Sequence, residues 1–411
     1  MIYADNLSGC LASRVLGKVR GKALVRADIN VPVKEGKVSS SNLRFKEFAR
    51  SIEEYSRNGI IPIIISHQGR AGDPDYLESM QQHAEVLGQI ARNVRVKYCD
   101  SLGGRELEDY VAGLVDGDAL VLKNIRSSVD EKRKYESISE MSKSGLIASL
   151  SKVADFYIND APATMHRQDA SLMGFIPVMP SYIGLQMERE LRILEEIYGH
   201  LKSGKRSAII FGGKKWEKFD YIYEIAKNEN VRILCGGVPG QSIAYVGNRG
   251  SFDRKNAEYI EGTGSLDTAS KLASEFGDRI FAPDDFVLEG GRCATISELR
   301  ESGRTIADIG DATIGRFFGA IDTSEMIIYA GPVGMYEKGY NQTLRLITRF
   351  MGEKALNYTF GGNSADSMDD IGLDRAYEAL GGKRITSGGS ALAFIAGHEL
   401  SVLKAFLEQA R

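Results

Sequence analysis

Short apolar runs recur along the chain, each closed by a polar or glycine cluster and followed by sequence of helical period. In the first half they are Ala23–Val25, Ile60–Ile65, Ala119–Leu122 and Phe156–Ile158. In the second half they are Ala208–Phe211, Val231–Leu234, Met326–Tyr329 and Tyr358–Phe360, with Ile385 closing a weaker one. Runs this short that do not alternate predict strands buried on both faces. Between them, segments such as Lys46–Arg57 and His83–Ala91 carry apolar residues at helical spacing. Strand–helix alternation predicts parallel sheets with helices on both faces. The units are too many for one open sheet of ordinary size. The predicted fold class is therefore α/β: two doubly wound parallel-sheet domains facing a cleft, joined by a helix.

The joining helix is Gln186–Leu201, where Leu191, Leu194, Ile197 and Leu201 form a stripe in a charged segment. A surface helix carries the same pattern, so periodicity alone leaves both readings open. The predicted layout is a first domain over 1–185, the helix over 186–201, a second domain over 202–389 and a C-terminal helix over 390–411. That last helix, amphipathic over Ser390–Leu407, is expected to pack back toward the first domain.

Bulk properties remove several function classes. With 411 residues, two cores form without disulfide or metal support. Lys+Arg 52 against Asp+Glu 55 gives no global basic field, which argues against nucleic acid as the main partner. Cys10, Cys99, Cys235 and Cys293 are widely spaced and only five histidines are present, so zinc-site spacing is missing. Apolar stretches of about five residues fall far short of the roughly 20 that span a membrane. Residues 1–5 lack the charged and apolar regions of a signal peptide. The expectation is a cytoplasmic protein acting as a monomer on small molecules. One number stands out: 45 glycines against 9 prolines, with 16 glycines in residues 1–200 and 29 in 201–411.

In open parallel sheets, ligands bind beyond the carboxyl ends of the strands. The two halves differ there. In the first, the runs lead into Arg26-Ala27-Asp28-Ile29-Asn30, Ser66-His67-Gln68-Gly69-Arg70, Lys123-Asn124-Ile125-Arg126 and Asn159-Asp160, then His166-Arg167. Arg44 lies just before the first clear helix. Arginine forks match phosphate and carboxylate oxygens, so convergent Arg and His suggest a small, multiply charged anion. In the second half the runs lead into Gly212-Gly213-Lys214-Lys215, Gly236-Gly237, Gly331-Pro332-Val333-Gly334, Gly361-Gly362-Asn363-Ser364 and Gly388-Gly389. Glycine there lets phosphate approach backbone N–H groups at a helix N-terminus, although tight turns use glycine anyway. Five such turns suggest a nucleotide polyphosphate. Two near-motifs fail. Arg206 stands where the Gly199–Lys205 stretch would need Ser or Thr to be a P-loop, and Gly262-Thr263-Gly264 lacks the third glycine of a dinucleotide fingerprint.

Taken together, Arg26–Pro32, Ser66–Arg70, Ile158–Arg167, Phe211–Trp216, Asp308–Ile314, Ala330–Glu337 and Thr386–Leu392 resemble the phosphoglycerate kinase family in its archaeal form. The resemblance implies 3-phosphoglycerate in the first domain and ATP or ADP with Mg²⁺ in the second. It implies that Asp28 and Asn30 contact the hydroxyl and carboxylate end, and that Arg44, His67, Arg70, Arg126 and Arg167 form a basic patch. Arg44, Lys215, Gly388 and Gly389 would serve the transferring group. Gly212, Gly213, Gly236, Gly237, Pro332, Glu337, Gly361, Gly362, Asn363 and Ser364 would hold the nucleotide, with Asn363 beside the metal. The acceptor carboxylate is already ionised, so no general base is needed. The sequence departs from the family at Lys123, Ser127, Phe219, Asp311, Ala330 and Asn363; an Asn offers magnesium an oxygen without charge. Another small-acid kinase, a non-catalytic nucleotide-binding paralogue and a nicotinamide-linked dehydrogenase are the alternatives.

Overall fold

The computed structural model describes residues 6–214, 219–264, 266–352 and 354–409. The chain divides into two compact units, residues 1–195 with 399–411, and residues 196–398.

The first unit is built on β1 (Gly21–Ala27), β2 (Ile60–Ile65), β3 (Arg95–Cys99), β4 (Asp118–Leu122), β5 (Phe156–Asp160) and β6 (Ser181–Ile183). All pairings are parallel, in the order β3-β4-β2-β1-β5-β6. The order reverses between β1 and β5, which is the switch point where open sheets bind ligands. Strands β2, β4 and β5 are buried throughout, as their unbroken apolar runs predict. β3 escaped the apolar pattern because it is an edge strand: Arg95 and Lys97 both reach Asp118, at 2.8 and 2.7 Å. Helix α1 (Leu43–Arg57) starts where Asn42 caps the N–H of Arg44, 3.0 Å away. It packs Phe45, Phe48, Ala49 and Ile52 onto the sheet. Helix α2 (Gln81–Ile90) buries Ala84 and Leu87 beside them.

Helix α3 (Leu185–Lys202) runs from the first unit into the second, and the division falls within it, after Glu195. Leu191, Leu194 and Ile197 are fully buried, as their spacing predicts. Its start is held in the first unit. Asp160, at the end of β5, accepts from Met187 N at 3.0 Å and from Tyr55 Oη at 2.9 Å, while Leu185 N donates to Tyr55 Oη at 2.9 Å.

The second unit carries β7 (Ser207–Phe211), β8 (Val231–Cys235), β9 (Ile280–Phe281), β10 (Asp285–Leu288), β11 (Cys293–Thr295), β12 (Ile306–Ile309), β13 (Met326–Ala330), β14 (Leu356–Phe360) and β15 (Lys383–Ile385). Six of these form a parallel sheet, β9-β8-β7-β13-β14-β15, whose order reverses between β7 and β13. An antiparallel sheet, β11-β10-β12, lies outside the predicted plan. Its strands are only three or four residues long and carry no sustained apolar run, so periodicity does not reveal them.

The expected single helix at the C-terminal end is two. α4 (Gly389–Ile395) stops in a Schellman motif: Gly397 takes φ +81°, its N–H meets Phe394 O, and His398 N meets Ala393 O. α5 (Ser401–Gln409) then joins the first unit, where Val402 N donates to Met165 O and Gln409 Nε2 to Ile176 O.

Candidate active site

The first unit gathers charge at its switch point. β1 ends in Arg26 and Ala27, and the turn beyond it places Asp28. Arg44, in the first turn of α1, meets Asp28 Oδ1 at 2.7 Å and Asn30 O at 2.9 Å. Asp28 is buried, and its other oxygen, Oδ2, has no partner among the described residues. A buried carboxylate oxygen without a partner costs free energy unless a ligand donor meets it. A hydroxyl-bearing ligand supplies such a donor.

The strand-end loops are laced to one another. Ser66 Oγ donates to Ala27 O, Gly69 N donates to Asn30 Oδ1 at 2.8 Å, and Arg126 Nη1 donates to Gly69 O at 2.5 Å. Asn124 Nδ2 reaches Gln68 O and Leu77 O. Asn30 Oδ1 therefore holds a loop, a task the sequence did not suggest. Gln68 is buried and clamps Val31 from both its amide atoms.

His67 lies at the centre of the arginines. Burial pushes its pKa well below the ordinary value, and the charges of Arg26, Arg126, Arg167 and Arg44 push the same way. Burial also lowers Arg126 and Arg167 from the usual guanidinium value. Asp28, Arg44, His67, Arg126 and Arg167 are thus brought together; Arg70 is exposed, and among the described residues its side chain makes no hydrogen bond to them. Sequence reasoning missed Glu131 and Ser171, both fully buried, which hold Arg26 from beneath. No local motif marks either of them.

In the second unit the strand-end glycines meet one another first. Gly213 N donates to Pro332 O, Gly236 N to Phe211 O, Gly237 N to Val333 O and Gly361 N to Ile385 O, each at 2.8 or 2.9 Å. A Cβ on Gly212 would sit 2.1 Å from Pro332 O, and one on Gly236 would sit 2.4 Å from Val333 Cβ. These four N–H groups are taken up within the protein, so they differ from the phosphate-facing amides that sequence suggested. The glycines let the loops after β7, β8 and β13 close on one another at the switch point. Gly362 opens an α-helix that runs to Asp370, with Gly361 at φ +87° before it, and Ser364 is buried in its first turn. Gly389 opens α4 directly behind Gly388. Glu337 is exposed beyond Pro332. Lys215 and the side chain of Asn363 lie outside the described residues.

A family model described as phosphoglycerate kinase matches residues 16–398. The chain belongs to the phosphoglycerate kinase family. It is 31% identical over 403 residues to the phosphoglycerate kinase of Thermoplasma acidophilum, covering 93% of this chain and 94% of that protein. Over 397 residues it is 31% identical to that of Pyrococcus abyssi, at 93% of each. The crystal structure of phosphoglycerate kinase from Pyrococcus horikoshii OT3 superposes with a TM-score of 0.85 at 28% identity, over 98% of this chain and 99% of that one. Membership of the phosphoglycerate kinase family makes the chain a kinase and a transferase, with two six-stranded parallel sheets.

Proposed function

We propose that the chain transfers a phosphoryl group reversibly between ATP and the carboxylate of 3-phosphoglycerate, giving ADP and 1,3-bisphosphoglycerate, a step of glycolysis and gluconeogenesis. The observation that carries the acceptor side is the Asp28–Arg44 pair amid His67, Arg126 and Arg167. Its arginines suit phosphate and carboxylate oxygens, and the unpartnered Asp28 Oδ2 suits a hydroxyl. On this reading the basic residues hold and orient the acid, and Arg44 meets charge that develops on the transferred group. Lys215, Gly388 and Gly389 serve that group from the nucleotide side. Bringing the two substrates together then calls for closure of the two units, which also excludes water.

Among the described residues, no three His, Cys, Asp or Glu side chains gather as a metal site. Mg²⁺ would arrive on the nucleotide phosphates, and the family resemblance assigns Asn363 to offer it a neutral oxygen. When bound, the ion neutralises charge on the phosphate oxygens. The enzyme works as a cytoplasmic monomer on this reading; no helix among the described residues is long and apolar enough to cross a membrane.

The test is a coupled assay with purified protein, Mg-ATP and 3-phosphoglycerate, run in both directions. Turnover that requires the phosphorylated acid, with glycerate a poor acceptor, supports the proposal. Nucleotide binding without turnover overturns it in favour of a binding paralogue.

A further inference from the structure

Arg26 is fully buried, and its guanidinium is fixed from three sides. Nε donates to Ser171 Oγ at 2.8 Å, Nη1 donates to Ala27 O, and Nη2 lies 3.2 Å from His67 Nδ1. Ser171 is itself fixed. Its Oγ donates to Glu131 Oε1 and its N–H to Glu131 Oε2, each at 2.8 Å. Glu131 Oε1 lies 3.9 Å from Arg26 Nη2, and both side chains are wholly buried. A buried relay therefore runs from Glu131 through Ser171 to Arg26 and ends on one nitrogen of His67.

An arginine can only donate hydrogen bonds. His67 Nδ1 must then accept, and in a neutral imidazole the proton sits on the other nitrogen. We propose that Arg26 is a positioning residue that holds His67 as the neutral Nε2–H tautomer, with Glu131 and Ser171 holding Arg26. The inference deepens the acceptor site proposed above and rests on it for its functional consequence. His67 Nε2–H is left without a partner among the described residues, so it is a donor for an anionic oxygen. Around it stand Arg26 from β1, Arg44 from α1, Arg126 after β4 and Arg167 after β5, with Asp28, Glu131 and Asp169 as the acids that act on those arginines. Protonating Nδ1 would replace an accepted hydrogen bond with a cation facing a cation. His67 therefore keeps one donor and no charge across the neutral range; Glu131, whose carboxyl burial raises to about 7, is a group of the patch that titrates there.

The experiment uses full-length protein with ¹⁵N-labelled histidine, the His67 signals being assigned from their loss in His67→Gln. Nitrogen spectra without substrate should show Nε2 protonated and Nδ1 bare from about pH 8 to about pH 5.5. Arg26→Lys, which can still donate, should keep that pattern. Arg26→Met combined with Glu131→Gln, which avoids an unpaired buried charge, should mix the tautomers and raise the titration of His67, with burial and the three remaining arginines still holding it below the ordinary range. A protonated Nδ1 in the parent protein overturns the proposal, as does an unchanged pattern in the folded double variant. Should the double variant fail to fold, the parent and Arg26→Lys spectra still decide.

Kinetics supply the second readout. The ratio of variant to parent KM for 3-phosphoglycerate cancels titration of the substrate's own phosphate. Across the pH range in which the spectra show His67 of the double variant taking up a proton, that ratio should fall roughly fivefold, the order of one charge-assisted hydrogen bond. A flat ratio would show that His67 does not serve the acceptor. An inactive parent with the expected spectra would overturn the proposed function and leave the tautomer assignment standing.

Discussion

Arg44 Nη1 and Asp28 Oδ1 are 2.7 Å apart, and Asp28 is 1% exposed. The same guanidinium that is proposed to meet the transferred group also neutralises a buried acid. Two variants separate those tasks. Arg44→Ala leaves Asp28 buried and unpaired and should cost roughly 3 kcal/mol of stability, measured by urea unfolding. Arg44→Lys should keep most of that stability yet lower kcat about 100-fold, because an ammonium lacks the planar fork. A lysine variant with parental kcat would remove Arg44 from the transition state.

The glycine lock of the second unit makes a contrasting pair. Gly212→Ala drives a Cβ to 2.1 Å from Pro332 O and should cost roughly 2–4 kcal/mol. Gly213→Ala meets open space, and its strain comes only from φ +84°, so about 1 kcal/mol is expected. Thermal unfolding of both variants checks the order. Equal losses would mean that close packing of the loops is not what requires glycine at 212.

Acid should destabilise the first unit through His83. Its Nε2 donates to Gln68 Oε1 at 3.0 Å, and its Nδ1 is buried without a partner among the described residues. Burial lowers its pKa from 6.5 to about 4. The unfolded chain therefore takes up a proton first as pH falls, so stability is full above 6.5 and drains away toward 4. At about 1.4 kcal/mol per unit, the loss approaches about 3 kcal/mol. Glu131 and Asp308, both raised to about 7 by burial, work in the opposite direction, so parent and variant must be compared directly. His83→Gln keeps a donor for Gln68 and should remove its share of this limb of a stability–pH curve, while His67 and His166, also lowered by burial, keep theirs; an unaltered limb would exclude His83 as a source.

Asp160→Ala should loosen the start of α3. It removes the acceptor for both Met187 N and Tyr55 Oη and leaves a cavity in a buried site. A loss of about 2–3 kcal/mol is expected. Hydrogen exchange should show the amides of residues 185–189 less protected. Unchanged protection there would mean that packing, not this carboxylate, fixes the helix.

Much of the fold was legible because its central strands are buried on both faces. Their unbroken apolar runs, from Ile60–Ile65 to Met326–Tyr329, mark them without any partner being known. Edge strand β3 was not legible. Its Arg95 and Lys97 look like loop residues until Asp118 is placed beside them. The C-terminal break at Gly397 was hidden for a related reason, since an amphipathic stripe continues across it.

The chemistry of the site divides in the same way. The sequence by itself determined which residue types stand at the strand ends: arginine and histidine in one half, glycine in the other. That follows from strand order and local turns, which are properties of neighbours in the chain. Only the tertiary structure decided what those residues touch. Arg26 meets His67 across 41 positions and Ser171 across 145, and the amides of Gly213 and Gly237 meet Pro332 and Val333. Such partners are chosen by packing between segments far apart in sequence, where burial makes every unpaired polar group costly. Close approach of the loops accounts for glycine at 212, 236 and 237.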